Sequence, residues 1–144
     1  MVDVVIEMQQ RLDATGAFAK VADSVALTEL SAKLIHGQAS AWVGELSSLP
    51  GQNTRDIGDP VQFEQQVFGV VIGVRSINDP HGSAAKQTLQ TKRLAVRQQL
   101  FGWTPDGYDR FLLAGAELLT FAEGALFWVE RFTTKRMITM EDLL

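Results

Sequence analysis

The chain has 144 residues, no cysteine, and a formal net charge of −4 from 17 acidic and 13 basic side chains. A chain of this length suits one domain that buries roughly 68–70% of its unfolded surface, and the lack of cysteine excludes disulfides and thiolate metal sites. Its 46% apolar content lies outside the disordered range, its apolar runs fall far short of the ~20 residues of a membrane span, and its acidic balance argues against a surface built for a nucleic-acid backbone.

The opening Met1-Val2-Asp3 carries no basic stretch of the secretory kind, so a soluble intracellular protein is expected. Asp3 is a candidate cap for a first helix running to about Ala14. Val2, Val5, Ile6 and Leu12 form a partial 3.6-residue stripe there, and Thr15-Gly16 stops it. Phe18 to Val21 reads as a short strand. Asp23 or Ser24 then caps a short helix with loosely periodic Val25, Leu27, Leu30 and Leu34, ended by Gly37. Ala39 to Leu46 reads as a strand anchored by Trp42. Ser47 to Pro60 carries Pro50-Gly51, Asn53, Gly58 and Asp59-Pro60, and this density of turn chemistry predicts a long loop of the kind that is functional or mobile.

The strongest strand signal runs from Val61 to Ser76. Phe68, Val70, Ile72 and Val74 share one face and Val67 and Val71 the other, which predicts a central strand covered on both sides. Its lead-in, Gln62-Phe63-Glu64-Gln65-Gln66, is polar enough to project past the core. Gly69 and Gly73 lie on one face and leave room for a close approach. After a turn at Asn78 to Ser83, Ser83 is the expected cap of a helix from Ala84 to about Leu100. Ala85, Leu89, Val96 and Leu100 mark its buried stripe, and Gly102 and Pro105 its stop. Glu117 to Phe121 and Ala125 to Thr134 pair as a hairpin around Glu123-Gly124. The last residues, Lys135 to Leu144, are too apolar for a solvated tail and too few for a core of their own. No repeat or linker divides the chain, so the reading is one α+β domain over 1–144.

Residues that carry chemistry are sparse. His36 and His81 stand apart with no metal-ligand spacing, no Gly-x-Ser-x-Gly elbow occurs, and neither a Walker loop nor Gly-x-Gly-x-x-Gly is present. Paired acids such as Asp56/Asp59 and Glu141/Asp142 fall in polar segments where solvation explains them. No enzyme, cofactor or metal is expected. Lys86, Arg93 and Arg97 fall near one helical face, which reads either as solvated surface or as a weak nucleic-acid patch. Trp42 and Trp128 are expected core anchors, and Trp103 a cap over one end of the core.

In order, the chain then presents Ala39-Ser40-Ala41-Trp42-Val43, Pro50-Gly51-Gln52-Asn53, the Gln-rich lead-in to Phe68-Gly69-Val70-Val71-Ile72-Gly73-Val74, Leu100-Phe101-Gly102-Trp103-Thr104-Pro105, Gly115-Ala116-Glu117-Leu118-Leu119, and Ala125-Leu126-Phe127-Trp128-Val129-Glu130-Arg131-Phe132. This ordered set, spread over most of the chain, resembles the tail terminator proteins of long-tailed bacteriophages and prophages, also called tail completion or minor tail proteins. The resemblance implies a mixed or antiparallel twisted sheet of about four or five strands with two or three helices packed on it.

It also implies a structural virion protein. Six copies would form a ring at the head-proximal end of the tail tube, stop its polymerisation and join the tail to the head-completion complex. The implied partners are further copies of the chain, the tail tube protein and a head–tail connector or stopper protein. DNA would pass through the lumen without specific binding, no membrane would be involved, and assembly would take place in the host cytoplasm. Under this reading the candidate interface residues are Pro50, Gln52, Asn53, Arg55, Asp56, Gln62, Glu64, Gln66, Lys135, Arg136, Met137, Ile138 and Met140, with 133–144 a candidate interaction tail. Another head–tail joining or tail-tube component is the alternative within the same virion, and a small ligand-binding α+β domain the alternative from another class.

Overall fold

The computed structural model describes residues 3–23, 30–76 and 82–143. Among the described residues, two α-helices and five strands occur in chain order: α1 (Val4–Asp13), β1 (Lys20–Asp23), β2 (Ala39–Asn53), β3 (Gln62–Arg75), α2 (Ser83–Leu100), β4 (Leu112–Ala122) and β5 (Ala125–Ile138), with single 3₁₀ turns at Ala32–Leu34 and Met140–Leu143. The strands form one sheet in the order β1-β2-β3-β5-β4. β1 runs parallel to β2 and every other pairing is antiparallel, so the α+β mixed sheet expected from the sequence is what forms.

Alternation along β3 divides the molecule into layers. Phe68, Val70, Ile72 and Val74 face the two helices and join Val4, Met8 and Leu12 of α1 and Ala85, Leu89, Val96 and Leu100 of α2 in the main core. The α2 stripe is the one its spacing predicts, and burying each larger aliphatic side chain is worth about 1.5–3 kcal/mol. Phe111, between α2 and β4, is wholly buried among Phe68, Phe132 and Trp103, with ring centroids 5.0–6.0 Å apart. Trp103 thus closes one end of the core, and Arg11 of α1 lies 4.9 Å over its ring while donating to the Gln99 carbonyl of α2. On the opposite face Trp42, Val71, Phe127 and Val129 form a smaller core under Ile35. Trp42 is buried there, while Trp128 packs half-buried against the main core.

Gly73 lies in this second layer for a steric reason. A Cβ at that position would stand 2.7 Å from Phe127 and 3.0 Å from Trp42. The nearest atoms to a Cβ at Gly69 would all belong to the Leu46 side chain, which is half-exposed. The close approach expected at the two glycines is therefore made by this chain's own rings at Gly73 and by a movable leucine at Gly69.

The structure corrects several sequence expectations. Residues 47–53 are not a loop: β2 continues to Asn53 opposite β3, and only 54–61 leaves the sheet. The turn-forming residues that suggested a loop are absorbed by irregularities between Glu45 and Ser47 and between Pro50 and Asn53, and proline is tolerated because this part of β2 is an edge. The first strand lies at Lys20–Asp23, slightly later than Phe18 to Val21. Residues 24–29 of the expected short helix lie outside the described residues. Its remainder forms one 3₁₀ turn at Ala32–Leu34, with Leu30 ahead of it. Ser83 does not cap α2. It is the helix's first residue, preceded by Gly82 in a left-handed conformation (φ 70°). His81 and the turn at 77–81 lie outside the described residues. The β4–β5 hairpin turns at Glu123-Gly124 as expected, both with positive φ, but both of its strands are longer than the pattern showed, and residues 133–138 belong to β5.

Candidate interaction surface

The sequence-derived interface residues converge on one part of the molecule. β2, β3 and β5 run on together beyond the helical layer as a three-stranded arm. The register sets Pro50, Glu64 and Arg136 in one row across it and Asn53, Gln62 and Ile138 in another. Gln52 lies near the end of β2, Arg55 and Asp56 in the turn after it, and Lys135 and Met137 on β5. At the tip, Arg55, Asp59 and Val61 line a shallow hollow of about 280 Å³ together with Thr139, Met140 and Glu141. All thirteen residues thus belong to the arm.

They do not all have the same freedom. Gln66 is only 4% exposed and marks the root of the arm: its side-chain Nε2 donates to Glu45 (3.0 Å), while its side-chain Oε1 has no partner among the described residues. Glu64 accepts from Arg136 at 3.1 Å and from the Ser48 hydroxyl, so these charges serve the arm's own ladder. Asn53 shapes the turn, accepting from the amides of Arg55 and Val61 and donating to the Arg55 carbonyl. Tyr108 bridges to Arg136 on the adjacent edge. Burial pushes its phenol above the ordinary value, and the Arg136 charge partly opposes that rise. Gln52, Asp56, Lys135, Met137 and Met140 remain exposed.

The two faces of the arm differ. Alternation from Phe68 puts Gln62, Glu64 and Gln66 on the helix side, with their register partners Ile138, Arg136 and Thr134. The other side carries Phe63 and Met137, directly opposite each other, with Leu49 nearby and Leu46 over Gly69. All four of these apolar side chains are substantially exposed, and Ile57 in the turn is 90% exposed. Sequence reading singled out the arm's polar residues with Pro50, Met137, Ile138 and Met140, but not Leu46, Leu49, Ile57 or Phe63. Phe63, a lone aromatic between Gln62 and Glu64, was the signal in the sequence that could have pointed to this face.

A second apolar surface escaped the sequence reading. β4 forms the outer edge of the sheet, and Leu112, Leu113, Leu118 and Phe121 along it are exposed. Its pattern, Leu-Leu-Ala-Gly-Ala-Glu-Leu-Leu-Thr-Phe-Ala, lacks clean alternation because the register shifts twice, between Leu113 and Gly115 and between Leu118 and Thr120.

The basic face of α2 is not a free cationic patch. Glu130, 0% exposed, accepts from Arg93, from Arg97 at 3.1 Å and from the Trp128 indole at 3.0 Å. Arg93 also lies 4.3 Å over the Trp128 ring. Two of the three cations expected on that face are thus held by one buried carboxylate of β5. Beside them a hollow of about 470 Å³ has a mainly apolar floor of Leu89, Leu118, Phe121 and Leu126. A further hollow, about 730 Å³, is lined by Gln65, Tyr108, Asp109, Thr133 and Lys135 among others, and these residues bring together no nucleophile with a positioned base. His36 is exposed, and its ring Nδ1 lies 3.2 Å from the Leu34 carbonyl. Among the described residues, no group of three or more metal-ligating side chains occurs and no helix is long and apolar enough to cross a membrane.

A family model described as phage tail terminator protein matches residues 2–142. No curated protein sequence matches the chain.

Proposed function

The chain belongs to the phage tail terminator family, and we propose that it acts as the terminator itself: six copies form a ring on the head-proximal end of the tail tube, block addition of further tube protein, and offer the opposite face to a connector or stopper protein of the head. A structural role in the phage tail follows from membership. The finer reading is supported chiefly by the arm, which carries exposed apolar side chains on one face and an ion-paired ladder on the other. A protein that works by contact needs such a surface more than it needs a pocket. A closed ring of identical copies requires two different, complementary patches on each copy, and the arm's free edge along β2 and the β4 edge lie on opposite sides of one sheet. The net charge of −4 and the engagement of Arg93 and Arg97 by Glu130 suit a lumen through which DNA passes without specific binding. The site of action is the virion, with assembly in the host cytoplasm.

The test is to mix purified protein with purified tail tubes and image both by negative-stain electron microscopy, with mass measured in solution. Rings of six on one tube end, and tubes that no longer lengthen when tube protein is added, are expected. Incorporation along the whole tube would instead make the chain another tail-tube component. A protein that stays monomeric and ignores tubes would defeat both readings.

A further inference from the structure

We propose that copies of this chain join edge to edge, β4 of one copy lying antiparallel beside the distal half of β2 in the next, so that one sheet continues across the subunit boundary. This rests on the proposed ring and names the contact that closes it. β1 pairs only with Ser40 to Val43. Among the described residues, β2 from Gly44 to Asn53 therefore has no strand on its outer side, and β4 has none on its outer side along Leu112–Ala122. Both free edges carry exposed apolar side chains, Leu46 and Leu49 on one and Leu112, Leu113, Leu118 and Phe121 on the other. A long apolar edge left bare is an aggregation hazard unless something pairs with it. The second copy is the occupant that supplies a matching edge of about the same length, roughly 33–37 Å on each.

Strand direction and stagger agree with this. β2 and β5 both run antiparallel to β3, and β4 runs antiparallel to β5. When neighbouring sheets continue side by side around an axis, β4 therefore meets β2 antiparallel, the more stable pairing. The free part of β2 lies level with β3 from Gly69 to Gln62, whereas β4 lies level with Val67 to Arg75 through its partners Thr133 and Ala125. Full overlap therefore needs a shift of about five to six residues, roughly 18 Å, for each step of four strands, roughly 19 Å wide. That slope is about 43°, within the roughly 35–45° strand tilt of closed sheets. The register shifts in both strands supply local bending and twist, and they discourage pairing with unrelated edges.

The chain has no cysteine of its own, so introduced pairs report this contact directly. Ser48 lies opposite Gln66 and Ala116 opposite Glu130, both on the helix side of the sheet and near the centres of the two free edges. Under mild oxidation, Ser48→Cys/Ala116→Cys, or Ser48→Cys/Leu118→Cys two residues along on the same face, is expected to give a ladder of covalent multimers up to the full ring. Neither single variant should go beyond dimers, and equal mixtures of two singles should stop at dimers. Unchanged melting of the reduced variants shows that they fold. Rings of the expected mass with no ladder at either register would overturn the edge pairing and leave the ring reading standing. Monomeric mass without a ladder would remove both. Protection of 112–122 amides from hydrogen exchange only when tail tubes are added, again without a ladder, would assign the edge to the tube protein and also overturn the proposal.

Discussion

Replacing Arg93 with alanine tests the claim that the basic face of α2 is a structural element. Glu130 is wholly buried, and its carboxylate depends on Arg93, Arg97 and the Trp128 indole for every hydrogen bond described. Arg93→Ala removes one charge-assisted bond to a buried acceptor, about 1.5–3 kcal/mol, and the stacking of the guanidinium on Trp128, about 0.5–1 kcal/mol. The sum is roughly 2–4 kcal/mol. With unfolding entropy near 2.1 cal/mol/K per residue, that corresponds to a fall in Tm of about 7–13 °C for a chain of this size. Arg131→Ala is the control, because the Arg131–Glu117 pair, at 2.8 Å, is far more exposed and such pairs contribute about 0.2–1 kcal/mol. Urea unfolding followed by far-UV circular dichroism measures both. If Arg93→Ala costs no more than Arg131→Ala, the carboxylate is not held as described. An apolar trio in place of Glu130, Arg93 and Arg97 should recover much of the loss, since a well-packed replacement of a buried ion cluster is often neutral.

Gly73→Ala is expected to destabilise by about 1–3 kcal/mol, because the new methyl meets Phe127 and Trp42 with little space to retreat. Gly69→Ala should be near neutral or slightly stabilising, since the half-exposed Leu46 can swing aside and alanine loses less backbone entropy than glycine on folding; comparing the two melting temperatures checks the pair. Asp142 accepts from the amide and hydroxyl of Thr139, which holds its carboxyl below the ordinary range. Its stabilisation is therefore present above the ordinary carboxylate value and lost as pH falls through the depressed one. An NMR titration of Asp142 against the Thr139 amide should show both changing together, and an ordinary carboxylate midpoint would contradict the bond. The α2 face should retain no duplex DNA even at low salt, measured by anisotropy, because two of its cations are already engaged.

The parts of the fold that were legible in the sequence are those where periodicity reflects burial. β3 shows apolar side chains on both faces because α1 and α2 cover one and Ile35 with its neighbours the other. The α2 stripe shows because only one side of the helix meets the sheet. Where burial stops, the signal stops, although the backbone ladder continues. Residues 47–53 contain Pro50 and Gly51 and bury almost nothing, yet β3 supplies partners as far as Asn53. Pairing of this kind depends on the neighbouring strand, so no local pattern encodes it. β4 was read only from Glu117 onward for a related reason: its two register shifts break the alternation by which an edge strand is recognised. No local pattern marks Glu130 as a buried carboxylate, because the arginines that neutralise it come from α2, more than thirty positions earlier.

The same contrast bears on function. The candidate interface residues share one region of the molecule, yet several of the polar ones, Gln66, Glu64, Arg136 and Asn53, hold the arm and its turn together. What the arm offers outward is largely the apolar remainder, Leu46, Leu49, Ile57, Phe63 and Met137. Internal hydrogen bonds keep an extended ladder in shape without a core beneath it, and exposed apolar area supplies the driving force when a partner covers it. Under the proposed function the arm is the part that a partner covers, and its polar network maintains the geometry of its exposed apolar face. β4 also exposes leucines along a free edge, the one at the far side of the sheet from the free part of β2. The proposed head-to-tail ring calls for two different surfaces on each copy, and the free β2 and β4 edges at the two ends of the sheet are the candidates.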